Sequence, residues 1–140
     1  MKRTLIVFIF TLSTFAQAGV NLIIEHPRHP NQQLDKYKVN CDKKCVLEID
    51  ALNPEKGYGD SKFNSQVKSL WSVPLPKEVN IRDHKVLYKV TAVDGDKKIE
   101  FKIGYSDIYS GEELVKYLNV IQYIETLKRT MRSELEAGKK

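Results

Sequence analysis

The segment KYKVNCDKKCVLEID, residues 36–50, constrains the fold more than any other stretch of the chain. Folded as a hairpin with Asp42-Lys43-Lys44 at the tip, it sets Cys41 opposite Cys45, Val39 opposite Leu47 and Tyr37 opposite Ile49. Side chains alternate along a strand, so these three pairs share one face. On the other face Lys38 meets Glu48 and Lys36 meets Asp50. A single register therefore collects apolar partners on one side and opposite charges on the other.

Three chemistries suit a Cys-x-x-x-Cys spacing: redox catalysis, half of a metal site, or a disulfide staple. Thioredoxin-like catalysis uses Cys-x-x-Cys at a helix N-terminus, where the dipole lowers the thiol pKa. Here the spacing is one residue longer and the flanks alternate like strands. A zinc site needs three or four ligands, and the chain has 2 cysteines in all. Along one straight strand the two Cα atoms would stand about 13 Å apart, too far to bridge. Across a hairpin tip they come within bridging distance. The pattern predicts a Cys41–Cys45 disulfide, worth roughly 2 kcal/mol for so small a loop.

The N-terminus supplies a matching compartment. Residues 1–18, MKRTLIVFIFTLSTFAQA, read as a cleaved secretory signal: Lys2 and Arg3, then an apolar run from Leu5 to Leu12, then Ala16-Gln17-Ala18. The run is too short to span a bilayer. No cysteine follows the cleavage site, so no lipid anchor is expected there. Export would place the thiols where a disulfide persists, in the periplasm or outside the cell.

Removing 18 of 140 residues leaves 122, residues 19–140, the length of one domain. Subtracting Lys2 and Arg3 from 23 basic residues leaves 21 against 18 acidic ones, a net charge of +3. Nucleic-acid or membrane-surface binding would want the basic residues gathered on one face. The sole cluster is Lys128, Arg129 and Arg132 on the last helix, which reads as a solvated face. Neither a nucleic acid nor stable membrane insertion after signal cleavage is expected.

The remaining elements follow from periodicity and turn residues. Gly19–Glu25 reads as a short apolar strand, and His26-Pro27-Arg28-His29-Pro30 as an extended linker. Residues 51–59, ALNPEKGYG, read as the longest loop. Asp60 or Ser61 caps a helix whose apolar face carries Phe63, Val67, Leu70 and Trp71. Residues 79–82 offer a short strand. Residues 86–105 form a second hairpin around Asp94-Gly95, with Val90 opposite Ile99, Tyr88 opposite Phe101 and Lys89 opposite Glu100. Ser110-Gly111-Glu112-Glu113 has the form of a capping box. The helix it opens, residues 111–136, carries a stripe of Leu114, Leu118, Ile121, Ile124, Leu127, Met131 and Leu135, widened by Tyr117 and Val120. The expected architecture is α+β: an N-terminal strand and two hairpins in a small antiparallel sheet, packed by a short central helix and a long C-terminal one.

No motif names an activity. His26 and His29 lie three apart on a proline-stiffened stretch, about 9 Å between Cα atoms, and offer a weak metal alternative without a patterned further ligand. Asp83-His84 could be half of a triad, but no nucleophile motif accompanies it. Gly57-Tyr58-Gly59 lacks the pattern of a phosphate loop and suits an adaptable contact surface. The expectation is a non-enzymatic domain, without cofactor, that binds another protein of the cell envelope through Lys43, Lys44, Tyr58 and Gly59. An inhibitor or immunity protein against a toxin or hydrolase fits that reading. An accessory subunit or chaperone of a pilus or secretion system is a second reading, and a small hydrolase or metal-dependent enzyme using His26, His29 or His84 a third. Nothing in the pattern sets the oligomeric state.

Overall fold

A computed structural model describes residues 19–27, 35–60, 62–77 and 81–139. The signal segment, His29 and part of the strand expected at 79–82 lie outside the described residues; Ile81 and Arg82 belong to no strand. The described residues form six strands: β1 (Val20–His26), β2 (Asp35–Cys41), β3 (Cys45–Asp50), β4 (Glu55–Gly59), β5 (Val86–Asp94) and β6 (Lys97–Gly104). Helix α1 (Lys62–Lys68) continues into a 3-10 turn at Ser69–Ser72, and helix α2 (Gly111–Ala137) closes the fold. The strands make one antiparallel sheet in the order β4-β3-β2-β1-β5-β6. This is the expected α+β architecture, with β1 at the centre joining the two hairpins.

Alternation divides the sheet cleanly. Val20, Leu22, Ile24, Tyr37, Val39, Leu47, Ile49, Tyr88, Val90, Ala92, Phe101 and Ile103 are all buried on the face that the helices cover. The opposite face carries lysine–glutamate pairs: Lys36–Glu25 at 3.0 Å, Lys38–Glu48 at 3.6 Å and Lys89–Glu100 at 3.9 Å. Such half-exposed pairs contribute little stability, about 0–1 kcal/mol each, but they keep the uncovered face soluble.

The first hairpin has the expected register at all five pairs. Cys41 and Cys45 are joined, with Cα atoms 4.0 Å apart. Other expectations need correction. The second hairpin pairs Val90 with Phe101, Ala92 with Ile99 and Asp94 with Lys97, so its turn is Gly95-Asp96. Gly95 has φ 59 and Asp96 is not among the positive-φ residues, the backbone pattern of a type II′ turn. Asp94 cannot leave the ladder because it also faces Val20 of β1.

Residues 55–59, read as loop, form edge strand β4. Its glycines misled the reading, and packing explains them. A Cβ on Gly57 would come within 2.8 Å of Leu135 Cδ2, and one on Gly59 within 2.9 Å of Leu47 Cδ1. A side chain at Gly57 would make Leu135 of α2 shift, and one at Gly59 would make Leu47 of β3 shift, so the two glycines let these leucines lie close against the edge.

The capping box does not form. Ser110 is the N-cap residue but its side chain makes no capping bond. The Glu113 carboxylate instead accepts hydrogen bonds from the Lys77 backbone N–H and from Lys116 Nζ, tying the chain after α1 to the start of α2. The buried stripe of α2 is Tyr117, Val120, Ile124, Leu127, Met131 and Leu135. Leu114 and Ile121 are only half-buried, and Leu118 is exposed. Tyr117 displaces Leu118 from the core by stacking on Tyr109, ring centroids 4.7 Å apart. On α1 and its turn, Phe63, Val67 and Leu70 are buried as expected, while Trp71 is half-buried at the margin.

Candidate functional site

The sheet edge gathers most of the residues expected to bind a partner. The disulfide closes the β2–β3 tip and leaves Lys43 and Lys44 in solvent. Beside it, Tyr58 projects from β4 with 70% of its surface exposed. Lys44 Nζ lies 5.9 Å from the Tyr58 ring centroid, so tip and edge strand meet through a cation–π contact. Gly59 differs: it is half-buried against Leu47 and shapes the edge from below. Leu52, 82% exposed in the β3–β4 connection, marks the other end of the same edge.

The two described histidines, His26 and His84, sit in different settings. His26 ends β1, with Nδ1 2.7 Å from the Leu87 carbonyl oxygen and its ring centroid 5.0 Å from that of Tyr88. The carbonyl can only accept, so Nδ1 carries the proton in that bond. His84 is exposed in the 3-10 turn Asp83–Lys85, where Asp83 pairs with Lys102 at 3.6 Å. Among the described residues no three metal-ligating side chains form a group.

A cluster of ionisable groups joining α2 to β2 and β5 escaped the sequence reading. Glu125, Lys128 and Arg132 project from one flank of α2 toward Tyr88 and Tyr37. The Tyr88 hydroxyl donates to the Glu125 carboxylate. Lys128 Nζ donates to the Tyr88 oxygen at 2.9 Å and to Glu125 Oε1 at 3.2 Å, and stands 5.0 Å and 5.2 Å from the Tyr88 and Tyr37 ring centroids. Arg132 Nη2 donates to the Tyr37 oxygen at 2.7 Å.

Burial, reinforced by the hydrogen bond to Glu125, pushes the Tyr88 hydroxyl well above the ordinary tyrosine range. Burial also works against the Glu125 charge, but the Tyr88 hydroxyl and Lys128 outweigh it and leave that carboxyl below its usual value. The bond to the Tyr37 oxygen raises the Arg132 pKa further. Tyr88 therefore stays protonated and Glu125 ionised, and the cluster clamps α2 to β2 and β5. Of the cluster read as a solvated face, Arg129 and Arg132 are exposed as expected, although Arg132 also lies over the Tyr37 ring, while Lys128 is half-buried between the rings of Tyr88 and Tyr37. The signal of the clamp was present: Glu125, Lys128 and Arg132 repeat the buried Ile124, Leu127, Met131 spacing one residue later.

A groove of about 330 Å³ lies between α1 with its 3-10 turn and α2, lined by Gln66, Ser69, Asn119, Gln122, Tyr123, Thr126 and Leu127. The Tyr123 hydroxyl donates to the Gln66 carbonyl at 2.9 Å and lies 3.3 Å from that of Val67. Burial pushes its pKa up to about 12.

The staple suits an oxidising compartment, and among the described residues no helix is long and apolar enough to cross a membrane. Set against family models and curated proteins, the chain matches none.

Proposed function

We propose that the chain is an exported protein-binding domain, acting without catalysis, whose contact surface is the corner formed by Lys43, Lys44 and Tyr58. An inhibitor or immunity protein directed at another envelope protein is the form of this function that fits best. The observation that carries it is Tyr58: a large amphipathic side chain exposed to solvent on an edge strand, with Lys44 Nζ 5.9 Å from its ring centroid. Tyrosine contributes contact area at low entropic cost and is enriched at protein interfaces. An edge strand adds main-chain hydrogen bonds to a partner strand. The polar clamp under α2, by contrast, has its charges spent on holding the helix.

Affinity capture from the native envelope tests the reading. The wild-type protein should retain one stoichiometric partner, and Lys44→Ala with Tyr58→Ala should lose it while the circular dichroism spectrum stays unchanged. Co-purifying subunits of an envelope assembly would favour the accessory role. Equal retention by the double variant would sink the proposed surface.

A further inference from the structure

The groove between α1 and α2 has an unusual chemistry for this chain. Charged residues make up 29% of the sequence, yet among the described residues none that lines the groove is charged. Gln66, Asn119 and Gln122 bring three amides, Thr126 a hydroxyl and Ser69 a hydroxyl oxygen whose proton goes to the Gln66 carbonyl at 2.6 Å, around a mostly carbon surface that includes Tyr123 and Leu127. Leu127 is only 2% exposed and forms the floor. The Tyr123 hydroxyl is committed to backbone carbonyls of α1, so this residue is anchored by its polar end and offers carbon to the groove. On α2 the polar lining recurs at Asn119, Gln122 and Thr126, steps of three and four that keep it on one outer face. The volume is at the lower end of the range for small-molecule sites.

We propose that this groove binds a short stretch of a neutral oligosaccharide. A charged ligand would find no counter-charge among the lining groups and would leave its own charge uncompensated. Side-chain amides and hydroxyls each donate and accept, which matches a ligand crowded with hydroxyls that do the same. The carbon floor matches the C–H face of a sugar ring. An extended peptide is a poorer match, because it gains most from the free backbone of a strand edge and these walls are helical. The groove shares no residue with the corner assigned to protein binding, so either assignment can fail alone.

Amide NMR titration of the full exported protein tests this, using chitotriose and maltotriose as probes and a capped tetra-alanine peptide as the competing class. Either sugar should shift the side-chain amide signals of Asn119 and Gln122 saturably in the millimolar range. Asn119→Ala with Gln122→Ala changes two exposed helix positions to the best helix former, so the fold should survive. That variant should bind the sugar about tenfold more weakly, the cost of two lost hydrogen-bonding groups. Absence of saturable shifts with both sugars would overturn the proposal. So would shifts with the peptide alone, or an undiminished affinity in the double variant.

Discussion

The two hairpins are built from the same alternating pattern, yet the pattern sets the register of only one. In β2–β3 a disulfide and two oppositely charged pairs mark individual positions, and sliding the strands past each other breaks them. In β5–β6 the alternation of Tyr88, Val90 and Ala92 against Ile99, Phe101 and Ile103 survives a shift of two residues unchanged. Period two therefore chooses the face, and unique partners choose the register. The central strand supplies what the second hairpin lacks: Val20 faces Asp94 and holds it in the ladder, which moves the turn to Gly95-Asp96.

The comparison breaks first if the hairpins do not share one core. Leu47 from β3 and Ile103 from β6 are both fully buried. Leu47→Ala and Ile103→Ala should each lower the unfolding free energy by about 2–5 kcal/mol in urea titrations. A loss confined to one hairpin would mean the sheet folds as two separable parts. Next comes the marker itself. Cys41→Ser with Cys45→Ser should cost roughly 2 kcal/mol and leave the register intact, because the apolar and charged pairs remain. Hydrogen exchange showing β2 unpaired from β3 in that variant would place the register in the disulfide alone.

A third effect separates the hairpins by pH. The folded protein raises the Tyr88 pKa above the ordinary 10.0, so the unfolded chain releases this proton first. The stabilisation is complete below pH 10 and is lost as pH rises from there toward the folded value. Each such proton contributes a slope of about 1.4 kcal/mol per pH unit. Tyr88→Phe should flatten the alkaline fall in stability by that amount. An unchanged slope would mean that the β5 clamp to Glu125 and Lys128 is not formed in solution.

How far the sequence was legible follows the same logic. The strands, both helices and the staple show as periodicity and spacing, which are local. Strand β4 did not, because Gly57 and Gly59 are set by Leu135 and Leu47 pressing on them, and no local pattern records that. The capping box failed for a similar reason: Lys77, distant in sequence, claims Glu113. At the candidate surface, Lys44 and Tyr58 were readable as exposed polar and aromatic residues, but their meeting depends on β4 being a strand. The clamp was hidden because lysine and arginine on a helix flank read as solvated until the tyrosines beneath them are placed.

The smallest effect discriminates most sharply between the two registers. With the turn at Asp94-Gly95, Asp94 would need a positive φ, and Asp94→Gly would relieve it and leave stability unchanged or higher. With the turn at Gly95-Asp96, Asp94 is a strand residue paired with both Lys97 and Val20. Glycine there loses backbone entropy without relieving anything, so Asp94→Gly should lower the unfolding free energy by about 0.5–1 kcal/mol. Asp96→Gly, within the turn, should change it less. A denaturant midpoint that rises for Asp94→Gly would return the turn to Asp94-Gly95 and release β5 from its last pair with β1.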